Sequence, residues 1–166
     1  HYNMGVALKA QGNLAEAIDA YSKAISIRPD FADAYNNMGN ALKDSGKLEE
    51  ATGSYEKAIA IKPDFADAYY NMGVGLQEQG KLKGAVKFYK KALAIKPDYA
   101  EVGNNLGVVL KDEGKLEEAI KFYEKALASR PDYAEAYYNI GDVLKELGKL
   151  EEAIEAYNKA ISIKPN

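Results

Sequence analysis

The sequence predicts an all-α fold, five antiparallel helix pairs stacked side by side as an α-solenoid. Three observations predict it. Prolines stand at Pro29, Pro63, Pro97, Pro131 and Pro165, a constant interval of 34 residues. Between successive prolines lie two helical patterns, each with its own apolar face. A glycine recurs inside the first pattern of every pair, at Gly5, Gly39, Gly73, Gly107 and Gly141. A mid-helix Gly costs about 1 kcal/mol relative to Ala, so its recurrence implies that something must approach closely there. A fixed period of this kind sets the architecture before any other feature does.

The period divides the 166 residues into repeats at 1–31, 32–65, 66–99, 100–133 and 134–166. The second repeat shows the elements in order. Ala34, Tyr35, Met38, Gly39 and Leu42 form one apolar face of a first helix. "DSGKL" interrupts, and Gly46 suits a left-handed helix stop. Leu48, Ala51, Thr52, Tyr55, Ala58 and Ile59 follow at helical spacing and form the face of a second helix. That helix ends before Pro63, with Glu49 and Glu50 in its first turn and Lys57 and Lys62 toward its end, as the macrodipole favours. Asp64 is expected as the N-cap of the next first helix, with Asp67 three residues on, and Asp98 with Glu101 repeat the arrangement. Tyr55 is expected to reach the neighbouring repeat. Gly103 replaces Tyr35, Tyr69 and Tyr137 and should leave a notch in the fourth repeat.

The columns Tyr35, Met38, Gly39, Leu42, Ala51, Tyr55, Ala58 and Pro63, with their equivalents in every repeat, resemble the tetratricopeptide repeat family over the whole chain. The resemblance implies a right-handed superhelix whose first helices line an inner groove. It also implies a non-catalytic scaffold that binds peptide segments of partner proteins.

With the apolar faces buried, a polar stripe remains on the first helices. Its rows are Asp33, Asp67, Glu101, Glu135; Tyr2, Asn36, Tyr70, Asn104, Tyr138; Asn3, Asn37, Asn71, Asn105, Asn139; Val6, Asn40, Val74, Val108, Asp142; and Lys9, Lys43, Gln77, Lys111, Lys145. Asn is a mediocre helix former, yet the third row never lacks one. An amide offers two donors and an acceptor, so a ladder of them could hold the backbone of an extended peptide. The tyrosines would add flat apolar contact. The ladder resembles that of the repeat arrays of O-linked N-acetylglucosamine transferases and, more loosely, of kinesin light chains. That points to an alternative role as the substrate-recruiting arm of a larger glycosyltransferase-type enzyme. The competing reading is that each Asn bonds the backbone of the adjacent repeat and sets the superhelical pitch. The arrays that clamp acidic chaperone tails carry Lys and Arg where this chain has Asp33, Asp67, Glu101, Glu135 and the Asn row, so a carboxylate clamp is not expected. Lys43, Lys111 and Lys145 are interleaved with Asp44, Asp112 and Glu146, and no strong preference for charged ligands is expected.

Other classes are disfavoured. Lys and Arg number 22 against 25 Asp and Glu, with no basic block, so no nucleic-acid footprint exists. No apolar run approaches the roughly 20 residues of a membrane span, and no signal-peptide pattern is seen, which favours the cytoplasm over secretion. Cysteine is absent and His1 is the one histidine, leaving neither metal-ligand spacing nor a Ser–His pairing. Glu49–Glu50, Glu117–Glu118 and Glu151–Glu152 sit in first turns, where solvated, dipole-favoured carboxylates are ordinary. Neither an enzyme nor a cofactor is expected. The column Lys23, Lys57, Lys91, Lys125, Lys159 is expected on a solvated outer rim. The chain starts inside a first helix and stops at "KPN", as a segment of a longer protein or array would. The last repeat should expose Ile154, Tyr157 and Ile161, which head-to-tail self-association would cover.

Overall fold

The structure, a computed structural model, describes residues 1–165. Each repeat folds as two helices. In the first three repeats these are α1 (Tyr2–Ala10), α2 (Leu14–Ile27), α3 (Ala32–Asp44), α4 (Leu48–Ile61), α5 (Ala66–Glu78) and α6 (Leu82–Ile95). The last two contribute α7 (Ala100–Asp112), α8 (Leu116–Ser129), α9 (Ala134–Glu146) and α10 (Leu150–Ile163). No strand occurs among the described residues. The chain forms two compact units, His1–Ile95 with three helix pairs and Lys96–Asn166 with two.

Glycine makes the turn within each pair. Gly46 has φ +80°, a conformation only Gly adopts without strain. The Lys47 N–H donates to the Leu42 carbonyl at 2.9 Å and the Gly46 N–H to Lys43 at 2.9 Å, the Schellman pattern that satisfies a helix's last carbonyls. Gly12, Gly80, Gly114 and Gly148 repeat the positive φ. The chain reverses there, so residues equidistant from the turn meet: Leu42 and Ala51 share one cluster, and Gly39 faces Tyr55. The pairs are therefore antiparallel.

The mid-helix glycines make room for a ring. A Cβ on Gly39 would stand 2.4 Å from Tyr55 Cε1. Gly5, Gly73, Gly107 and Gly141 face Tyr21, Tyr89, Tyr123 and Tyr157 in the same way. Tyr55 is fully buried and also meets the next pair, in a cluster with Leu42, Ala51 and Met72. It thus serves both its own repeat and its neighbour.

Two expectations are corrected. Asp64 is not an N-cap: α5 begins at Ala66 with Phe65 at the cap position and no side-chain cap bond. Asp98 is displaced in the same way by Tyr99 at the head of α7. The cause is the linking turn, closed by the Phe65 N–H on the Lys62 carbonyl at 3.2 Å, which places Phe65 inward against Ala32, Ala58 and Ala68. Nor does Gly103 leave a notch. A Cβ there would lie 3.2 Å from the Phe122 carbonyl oxygen and 3.4 Å from Ala126 Cβ; α7 and α8 have closed over the missing side chain.

Candidate functional site

Each unit carries a polar stripe on its first helices, and within each unit amides of the Asn row bond from one repeat to the one before. In the first unit the Asn37 Nδ2 donates to the Tyr2 hydroxyl at 2.8 Å and the Asn71 Nδ2 to Asn36 Oδ1 at 2.9 Å. In the second unit the Asn139 Nδ2 donates to Asn104 Oδ1 at 2.9 Å. Asn104 in turn donates to Glu135 Oε1 at 3.1 Å. The partner is a side chain of the preceding repeat, not its backbone. Asn37, Asn71, Asn105 and Asn139 are half-buried, and Asn3 is exposed. One N–H of each bonded amide is committed, which fixes its orientation. Asn37, Asn71 and Asn139 keep a second N–H and a carbonyl oxygen for another group.

The rest of the stripe divides by burial. Asn36 and Asn104 are buried; as ligand contacts they are corrected, since a ligand cannot reach an amide sealed between helices. Tyr70 is half-buried with its ring 6.1 Å from Tyr89, and Tyr138 is exposed with its ring 5.4 Å from Tyr157. Asn40 Oδ1 accepts from the Tyr55 hydroxyl at 2.8 Å. Asp67 is exposed. Glu101 is half-buried and ion-paired with Arg130. Burial works to raise the Glu101 carboxyl, but the Arg130 hydrogen bond and charge outweigh it and hold it below the usual carboxylate value.

The lysines of the stripe are neutralised in place. Lys43 Nζ lies 3.1 Å from Asp44 and 3.7 Å from Glu78, while Lys9 reaches Asp44 at 2.8 Å. Lys111 lies 3.7 Å from Asp142 and 3.9 Å from Glu146. Burial alone would lower the Lys43 ammonium, yet Asp44 and Glu78 leave it raised, and Asp44 is lowered in return against its own burial. These pairs join successive repeats and leave little uncompensated positive charge for a ligand.

Sequence reasoning found the lysine column of the second helices but missed the rings its side chains cover. Lys57, Lys91 and Lys159 stand over the rings of Tyr35, Tyr69 and Tyr137 at 5.5 to 5.6 Å. Lys125, whose ring is lost at Gly103, stands over Phe122 at 5.1 Å. In the linking turns Arg28, Lys62, Lys96 and Arg130 cover Phe31, Phe65, Tyr99 and Tyr133. For the linking turns the signal was present as a cation three residues before each aromatic; for the others no local spacing marks the pair. Such contacts contribute about 0.5–1 kcal/mol when exposed. Lys57, Lys91, Lys125 and Lys159 are nonetheless exposed, as expected of a solvated rim.

Among the described residues no group of three His, Cys, Asp or Glu could hold a metal ion, and no helix is long and apolar enough to cross a membrane.

Comparison with known proteins places this geometry. A family model described as "Tetratricopeptide repeat" matches residues 64–131 and 98–166, and one described as "TPR repeat" matches residues 5–45 and 39–80. No curated protein sequence matches the chain. A crystal structure of MamA is similar at 26% identity and TM-score 0.89, covering 99% of this chain and 96% of that one. A crystal structure of YrrB, described as a TPR protein with an unusual peptide-binding site, is similar at 28% identity and TM-score 0.79, covering 99% and 85%. Pseudomonas aeruginosa PilF, at 23% identity and TM-score 0.91, covers 99% and 75% and shares the fold.

Proposed function

Because the chain belongs to the tetratricopeptide repeat family, we propose that the stripe on its first helices binds an extended peptide segment of a partner protein, without chemistry of its own. One observation carries the reading. The amides of Asn37, Asn71 and Asn139 are each held in the same way by the repeat before. Every such amide therefore presents a fixed carbonyl oxygen and a remaining N–H. A peptide backbone offers the complementary N–H and C=O at every residue, so it is gripped regardless of its side chains. Holding the amides in advance also removes part of the ordering cost of binding.

The similarity to YrrB supports the same reading. So does the neutralisation of Lys9, Lys43 and Lys111 by neighbouring carboxylates, which favours a partner segment of low net charge. Such a segment binds with little dependence on salt.

The test is selection of binding segments from a library of extended peptides, followed by titration of the chain and of Asn71→Ala at a temperature where both are folded. A tenfold or greater loss of affinity supports the ladder. Unchanged affinity overturns it.

A further inference from the structure

Helix α6 differs in charge from every other second helix. It carries Lys83, Lys87, Lys90 and Lys91 and no carboxylate, whereas α2, α4, α8 and α10 each carry two or three carboxylates and one or two lysines. We infer that the outer face of α6 docks a carboxylate-rich segment of a partner protein, at Lys83, Lys87 and Lys91. This face lies within the first unit, on a different helix from the polar stripe, and its role is independent of what the stripe binds.

The lysines form no run in the sequence, and the helix assembles them. Residues 83, 87 and 91 are four apart and share one side. All three are exposed, while Ala85, Tyr89 and Ala92 are buried on the opposite side. The row is about 12 Å long at 1.5 Å per residue. Among the described residues none of the three forms an ion pair. Lys91 stands over the buried Tyr69 ring at 5.5 Å, which holds the ammonium in place and leaves its charge uncompensated.

Holding these charges weakens α6 itself. Helix α4 opens on Glu49 and Glu50, which the positive end of a helix favours. Their equivalents on α6 are Lys83 and Gly84, and no acidic residue stands in its first turn. Lys83 with Lys87, and Lys87 with Lys91, are like charges at i,i+4, which repel. Packing does not require them, since all three side chains face solvent. A local preference broken without compensation inside the fold is expected at functional sites.

The narrowness of the patch selects its occupant. Helix α4 lies beside α6, its Ala51 and Tyr55 sharing a cluster with Phe88. At the positions equivalent to Lys83, Gly84 and Lys90 it carries Glu49, Glu50 and Glu56, all exposed. An anionic membrane surface would meet these carboxylates together with the lysines and be repelled by them. Nucleic acid finds neither an arginine nor an exposed ring on α6 to stack against. A single acidic strand of polypeptide can follow the lysines alone, and about four or five extended residues span them.

Fluorescence anisotropy tests this with a labelled peptide of about twelve residues, alternating Glu and Ser, long enough to span the row. It is titrated with the whole chain, with Lys87→Glu and with Lys23→Glu. Lys23 is exposed on α2, two repeats back within the same unit, so the two substitutions change net charge equally. The unmodified chain should bind saturably, and more weakly as salt is raised. Lys87→Glu should lose affinity by about tenfold or more, and Lys23→Glu by less than about twofold. Lys87→Glu also turns two i,i+4 repulsions into attractions, so its thermal melt should rise while its binding falls. Vesicles of phosphatidylserine and phosphatidylcholine, and a uridine oligonucleotide, should bind more weakly than the peptide. No binding of the peptide, an equal loss in both variants, or preference for vesicles or oligonucleotide would each overturn the inference.

Discussion

The Asn71 amide donates to the buried Asn36 carbonyl oxygen at 2.9 Å, 35 residues back along the chain. The bond ties the third repeat to the second. Asn71→Ala leaves Asn36 Oδ1 as an unpaired acceptor out of water, which costs about 1–3 kcal/mol. Asn3 belongs to the same column but is exposed; Asn3→Ala should move stability by less than about 0.5 kcal/mol. Urea unfolding of both variants checks the pair. Equal effects would mean that the column, not the bond, matters.

Gly39 and Gly53 are both glycines inside helices, and their replacement by alanine should have opposite signs. Nothing lies within 4 Å of a Cβ built on Gly53. Gly53→Ala therefore recovers helix propensity and should stabilise by about 0.5–1 kcal/mol. At Gly39 the new Cβ meets Tyr55 Cε1 at 2.4 Å, and Tyr55 is fully buried with no room to turn. Overpacking costs about 1–3 kcal/mol and exceeds the propensity gain, so Gly39→Ala should destabilise. Thermal melts of the two variants decide it.

The contrast shows what was legible in the sequence. The period, the helix pairs, the Gly46-type stops and the closeness implied by Gly39 all follow from local pattern repeated five times, because each repeat confirms the reading of the others. That Tyr55 is what fills the space above Gly39 was not legible, since it depends on two helices meeting at a particular register. The partner of Asn71 was half-visible. Tyr2, Asn36 and Asn104 form a row able to accept hydrogen bonds beside the Asn row, yet nothing local says that the amide turns back to the previous repeat. The burial of Asn36 and Asn104 was equally hidden, because it depends on how successive helix pairs meet. Asp64 misled for another reason. An Asp before an apolar run reads as a cap, but the turn through Pro63 uses it and hands the cap position to Phe65.

Glu101 and Arg130 give the stability a pH dependence. The folded carboxyl lies below its unfolded value, about 4.3, because Arg130 overrides the opposing effect of burial. A depressed carboxylate contributes stability that is present above the unfolded value and lost as pH falls through the folded one. Both side chains are more than a third exposed, so screening holds the contribution under about 1 kcal/mol. Glu101→Gln should lower stability at neutral pH by that amount and converge with the unmodified chain at acid pH. Urea midpoints measured from neutral pH to below pH 4 test the convergence; a constant difference would assign the effect to packing.

Tyr123 and Tyr55 occupy equivalent positions but differ in what their hydroxyls find. The Tyr55 hydroxyl donates to Asn40 Oδ1 at 2.8 Å. The residue equivalent to Asn40 beside Tyr123 is Val108, which has no acceptor, and the buried Tyr123 oxygen lacks a hydrogen-bond partner. Burial raises the Tyr123 phenol above its ordinary value, and the carboxylates of Asp112, Asp142, Glu135 and Glu146 add to the shift, so it stays protonated and desolvated. Removing a buried group that makes no bond recovers its desolvation penalty. Tyr123→Phe should therefore be neutral or stabilising by up to about 1 kcal/mol, whereas Tyr55→Phe should lose about 1 kcal/mol with its bond to Asn40. Both substitutions keep the ring over Gly107 or Gly39, so the hydroxyl is the one thing changed. Chemical denaturation of the two variants gives the comparison. A loss at Tyr123→Phe as large as that at Tyr55→Phe would show that the hydroxyl is bonded after all.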